Sequence, residues 1–151
     1  MRKSVIVFGV LLLLGLGAYL FVTKYDIRLG AFSFAFSKEK AMLRDLTTAF
    51  LEDIQFKDFV KAATYHTEED QQNVDIADLI ERLFRIKPEL LDIMKYEITD
   101  IDIDKSGTRA RVKTHTTVKV LNTDEMKEPD VIFYWHKVDG RWYMKLESSL
   151  Q

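Results

Sequence analysis

At 151 residues the chain suits one domain of ordinary size plus an appendage. It carries 22 basic and 24 acidic residues; with Arg2 and Lys3 set apart at the start, 20 against 24 remain, a net charge near minus four that argues against a nucleic-acid partner. Cysteine is absent, which excludes disulfides, zinc–thiolate sites, thiol nucleophiles and lipid attachment through a cysteine.

The first feature in chain order is Ser4 to Val22, nineteen residues without a charge, flanked by Arg2 and Lys3 before and Lys24 after. That length is close to the roughly 20 residues needed to cross the hydrocarbon core as a helix. The expectation is a retained single-pass anchor over 1–22, a juxtamembrane linker over 23–37 and one domain over 38–150 on the extracytoplasmic side, with membrane lipid as the first partner. A cleaved export signal processed near Ser33-Phe34-Ala35 is the competing reading. The apolar stretch Leu29 to Phe36 is too short to span again and is expected to pack against the domain.

Ser37 is placed to cap a helix whose apolar residues Met42, Leu43, Leu46, Ala49, Phe50 and Ile54 recur at three- and four-residue steps. Asp58 caps a second short helix through Tyr65, with Phe59, Val60 and Ala63 as its apolar side. Thr67 to Asn73 reads as a polar loop, and Ile76, Leu79, Ile80, Leu83 and Phe84 mark a third helix. Pro88 breaks that pattern and opens a last turn carrying Leu90, Leu91 and Met94.

After Lys95 the hydrophobic period changes from helical to two. The inward phase slips between Tyr96/Ile98 and Ile101/Ile103, which predicts a β-bulge near Thr99 and Asp100. Lys105 to Thr108 is a hairpin turn into a strand alternating Ala110, Val112, Thr114, Thr116, Val118 and Val120 against charged or polar neighbours. Asn122 to Asp130 reads as a loop, and Val131 to Val138, apolar on both faces, as a central strand. A turn at Val138 to Arg141 leads to a strand with Trp142, Met144 and Leu146 inward.

The fold class is therefore α+β: an N-terminal transmembrane helix, then three helices packed on a bent antiparallel sheet. This order, with Phe50 to Tyr65 (FLEDIQFKDFVKAATY) and Val138 to Tyr143 (VDGRWY), resembles the NTF2-like, cystatin-like cone superfamily over roughly Lys38 to Glu147. The resemblance implies a pocket between sheet and helices, lined by Tyr65, Trp135 and Tyr143, and a membrane-tethered, non-catalytic domain that binds a partner protein or a small apolar ligand. Its alternative is a small isomerase or dehydratase using that pocket, with His136 and Tyr134 as candidates.

The residues themselves offer little chemistry. Asp100, Asp102 and Asp104 open like a calcium loop, but Lys105 and Arg111 stand where its glycine and closing glutamate would be. They read instead as a solvated acidic edge, with Arg109, Arg111, Lys113 and Lys119 as a basic face on the next strand that pairs with it across the hairpin. His66, just past a helix end, reads as a partner of the helix dipole, and His115 as surface. No catalytic residue, metal or cofactor is expected, since no phosphate loop, nucleophile elbow or zinc motif occurs.

Overall fold

The computed structural model describes residues 37–73, 75–123 and 125–145. The chain divides into two units, Met1–Glu39 and Lys40–Gln151, and nearly all of the described residues belong to the second. Helix α1 covers 37–55. It is followed by α2 (Phe59–Ala63), α3 (Glu68–Gln71), α4 (Ile76–Phe84) and a 3-10 turn, Pro88–Leu90. Five strands complete the domain: β1 (Leu91–Ile103), β2 (Arg109–Val120), β3 (Met126–Lys127), β4 (Asp130–Val138) and β5 (Arg141–Met144).

The described part is thus α+β, with two corrections. Among the described residues there are four α-helices, where three were expected. The extra one is α3, inside the expected polar loop: the Thr67 hydroxyl accepts from the Asp70 amide, and Glu68, Glu69 and Asp70 supply acidic charge to its first turn. The expected anchor, Ser4 to Val22, lies outside the described residues. Among those described, no helix is long and apolar enough to cross a membrane. The longest, α1, carries Lys40, Arg44, Asp45, Glu52 and Asp53, charges that hydrocarbon would expel. The transmembrane fold class and the single-pass, extracytoplasmic placement find no support and are withdrawn.

The sheet is antiparallel in the order β1-β2-β4-β5, with β3 pairing β2. Alternation in β2 sends Ala110, Val112, Thr114, Thr116 and Val118 inward, as its sequence requires. They meet Val131, Phe133 and Trp135 of β4 and Trp142 and Met144 of β5, while α1 contributes Leu43, Phe50, Leu51 and Ile54 and α4 contributes Ile76, Leu79, Ile80 and Phe84. Leu146 lies outside the described residues.

Strand β1 begins at Leu91, so the turn opened by Pro88 ends sooner than expected. The expected slip is present, with Thr99 unpaired between Ile98 and Asp100, and a second one leaves Met94 unpaired between Ile93 and Lys95. As an edge strand, β1 exposes backbone groups that invite other strands. Two side chains beyond the middle of α1 occupy them: Gln55 Nε2 donates to the Ile93 carbonyl at 2.7 Å and Lys57 Nζ to that of Leu91. Lys57 itself has φ 61°, a left-handed turn that ends the first helical segment.

Phe50, fully buried and set edge-on at 5.7 Å from both Tyr65 and Phe133, should be among the most costly positions to truncate. Phe50→Ala should lower the urea unfolding free energy by about 3–5 kcal/mol. Met126→Ala, at a half-exposed residue, should change it by less than about 0.5 kcal/mol. Equal losses would show that α1 is not seated on the sheet in this way.

Candidate functional site

The residues expected to line a pocket are divided between two faces. Tyr65, at the turn after α2, and Trp135, inward on β4, meet at 6.5 Å with rings at 84°. With Phe50 and Phe133 they make a continuous edge-to-face cluster. Tyr143 is not part of it. It faces away from the core and lies 6.2 Å from His136, its cross-strand neighbour. Because Val131, Phe133 and Trp135 point inward, His136 points outward with Ile132 and Tyr134.

The polar group at the inner cluster is Asp53, which the sequence reading did not single out. It is 6% exposed, accepts from the Tyr65 hydroxyl at 3.0 Å through one oxygen and from Lys61 Nζ at 2.7 Å through the other. Burial, and then the hydrogen bond to Asp53 and its charge, push the Tyr65 phenol up to about 12, so this hydroxyl stays protonated and donates. A carboxylate one turn beyond Phe50 on a buried helix face was the available signal; its partner twelve residues away was not visible.

A second cluster sits where the chain leaves β5. Lys145 Nζ reaches Asp70 at 2.7 Å, holding that carboxyl below its usual range, and Asp70 is secured further by Thr67. Beside the pair lies His66, 2% exposed, with neither ring nitrogen hydrogen-bonded. Burial lowers its pKa first; the carbonyls of Ala63 and Ala62 and the charge of Asp70 pull the other way, and Lys145 adds to the lowering. Burial thus outweighs the pull of the two carbonyls at the end of α2. His136 is also lowered, by burial and then by Lys145.

On the outer face, Asp102, Arg109, Arg111, Tyr134, His136 and Lys145 border an open groove of about 580 Å³. Its cations are already matched: Arg111 to Asp102 at 2.6 Å, Arg109 to Asp104 at 3.6 Å and Lys145 to Asp70. Asp104 also accepts from Ser106 and from the amides of Thr108 and Arg109. Asp102 and Asp104 are therefore ladder and turn chemistry. Among the described residues, no group of three or more His, Asp or Glu is placed to hold a metal ion.

Chemically, the interior offers packing around one bonded carboxylate, while the buried hydroxyls of Thr47 and Thr114 and the Trp135 Nε1 carry no hydrogen bond. Both oxygens of Asp53 are engaged, and the space between sheet and helices is filled by Phe50, Leu51, Phe133, Trp135 and Met144. Among the described residues, the most exposed large hydrophobes are Phe56, at 80%, and Val60, at 83%. Val60 had been expected on the apolar side of its helix, but the residue that α2 buries is Ala62.

No family model matches the chain, and no curated protein does. Among solved structures it is similar to that of RPA3114, a SEC-C motif containing protein from Rhodopseudomonas palustris, at 17% identity, over 63% of this chain and 68% of that one, with a TM-score of 0.49. That likeness is too slight to carry an argument about family or function. The NTF2-like assignment built on Phe50 to Tyr65 and Val138 to Tyr143 is corrected: no family model bears it out. Helices followed by an antiparallel sheet, and a D-G turn before an aromatic, are features that many α+β domains share.

The buried histidine makes stability depend on pH in a definite sense. Its folded pKa lies below the ordinary value, so the unfolded chain takes up the proton first as pH falls. The contribution is complete above about pH 6.5 and is lost as pH drops towards the folded value. His136 acts in the same direction from a more exposed position, and Asp70 does so below the carboxylate range. The urea midpoint of the wild type should fall between about pH 7.5 and about pH 5.5, and His66→Leu should lose roughly half or more of that fall. An identical fall in both proteins would remove His66 from the account.

Proposed function

We propose that the described domain is a non-catalytic module that binds a partner protein through its surface. The observation that carries this reading is the filled interior: where a pocket between helices and sheet would lie, Phe50, Tyr65, Phe133 and Trp135 pack edge to face. An isomerase or dehydratase would need an inward acid or base open to a cavity. Asp53 and Tyr65 are inward, yet each is bonded to the other and Asp53 also to Lys61. A small apolar ligand would have to displace these rings. A protein partner needs only the apolar side chains already turned outward at Phe56 and Val60.

The reading separates structure from chemistry at Tyr65. Tyr65→Phe leaves Asp53 with one donor fewer and should cost about 1–3 kcal/mol in urea unfolding, while a folded sample keeps its partner affinity. A small-molecule turnover by the full chain that disappears in Tyr65→Phe or Asp53→Asn would defeat the proposal. So would chemical-shift changes confined to Phe133 and Trp135 on titration with indole, which would place a ligand in the interior.

A further inference from the structure

The helical side of the domain carries a trough that the core does not account for. One end lies between α2 and the start of α4, with Phe59, Val60, Ala63, Ile76 and Ala77 among its walls and a volume of about 710 Å³. The other end, about 420 Å³, runs past Phe59 to Pro88. Both share Phe59, Asp75 and Ala77, so they are continuous. Val60 stands on the trough, and Phe56 is next in sequence to Lys57 on its wall. A scattered exposed hydrophobe is ordinary, but Val60, 83% exposed on a trough with Phe59, Ala63, Ile76 and Ala77 among its walls, makes a surface with an unmet partner.

The charge around the trough is one-sided. Asp75, Asp78, Glu81 and Glu89 line its Pro88 end with Lys57 as the single cation. Lys57 is turned onto the Leu91 carbonyl and its ammonium is partly desolvated, so it offsets little of this field outward. Arg82 pairs with Asp78 at 2.9 Å. Among the described residues, Asp75, Glu81 and Glu89 have no ion-pair partner, whereas Asp102, Asp104 and Asp130 on the sheet side each have one.

We infer that this trough docks a basic amphipathic helix of a partner protein, its apolar stripe on Phe59 and Val60 and its lysines or arginines towards Asp75, Glu81 and Glu89. The inference rests on the reading of the domain as a protein-binding module and names its surface and the chemistry of its partner. An amphipathic helix laid into an apolar groove draws affinity from a few buried anchors, and the acidic rim supplies orientation and rate.

The test uses the full chain and a fluorescent peptide of leucine and lysine patterned as an amphipathic helix, followed by anisotropy. The wild type should bind it, more weakly at about 0.3 M salt than at low salt. Val60→Asp should weaken binding by about tenfold or more, and so should Glu81→Lys with Glu89→Lys, which should in addition gain affinity for a leucine–glutamate peptide of the same pattern. Glu97→Lys with Asp100→Lys makes the same charge change on the exposed sheet face and should leave binding unchanged. Circular dichroism establishes that each variant is folded, and the two trough variants are independent of one another. The inference is overturned if the wild type does not bind the lysine peptide, if it binds the glutamate peptide equally well, or if the sheet-face variant loses as much affinity as the trough variants. Failure here leaves the interior and the Tyr65 result untouched, so it can be told apart from failure of the binding-module reading.

Discussion

The domain depends on what happens at Tyr65. Its ring is held between Phe50 of α1 and Trp135 of β4. Its hydroxyl binds Asp53, and its backbone carbonyl accepts the Met144 amide at 2.7 Å. One residue therefore joins helix α1, the central strand and the edge strand β5. The last of these bonds lets the helical layer occupy part of an edge that would otherwise offer free backbone to another chain. At the other edge, Gln55 and Lys57 do the same for β1. Helices and sheet are thus coupled at both margins by directed bonds, with the aromatic cluster between them.

That coupling explains why the interior does not read as a reaction centre. A buried carboxylate is tolerated when its lone pairs are satisfied, and Asp53 meets that condition through Lys61 and Tyr65. His66 is the opposite case: a buried imidazole beside the Lys145–Asp70 pair whose ring nitrogens have no hydrogen-bond partner, and burial lowers its pKa. The two faces of the domain also differ in how their charges are managed. Across the outer sheet face Arg111 meets Asp102, and Lys113 and His115 share Asp130, as a cross-strand ladder. Around α4 the acidic side chains have no such ladder, because a short helix capped by Asp75 presents its charges to solvent.

Much of the β-structure was legible in residue order because strand burial has a strict period of two. Ala110, Val112, Thr114, Thr116 and Val118 had to lie on one side, and the phase slip at Thr99 could only be an extra residue. Helix boundaries were less legible. The extra helix α3 rests on a single Thr67 cap, and the short α2 packs Ala62 rather than the larger Val60, a choice made by the surrounding packing. The candidate residues were apparent as types: Tyr65 and Trp135 do meet, as part of the core. Tyr143 could not be assigned a face until the register of β5 was fixed, and the bond from Asp53 to Tyr65 spans a turn that no periodicity describes. The family assignment failed for a related reason, since element order is shared far more widely than ancestry.

The two slips in β1 have an arithmetic consequence. Each extra residue shifts the numbering of the inward positions by one, so the inward residues are odd at Leu91 and Ile93, even at Tyr96 and Ile98, and odd again at Ile101 and Ile103. Without Met94 and Thr99 together, the strand would read as one unbroken alternation of inward and outward residues. Without either alone, one slip closes and the side chains beyond it keep the sides they hold now, because Ile93 and Lys95, like Ile98 and Asp100, already face consecutive residues of β2. The edge of this sheet therefore tolerates the loss of either residue singly, and what such a loss would change is the local bend and twist of the strand, not which side chains face the core.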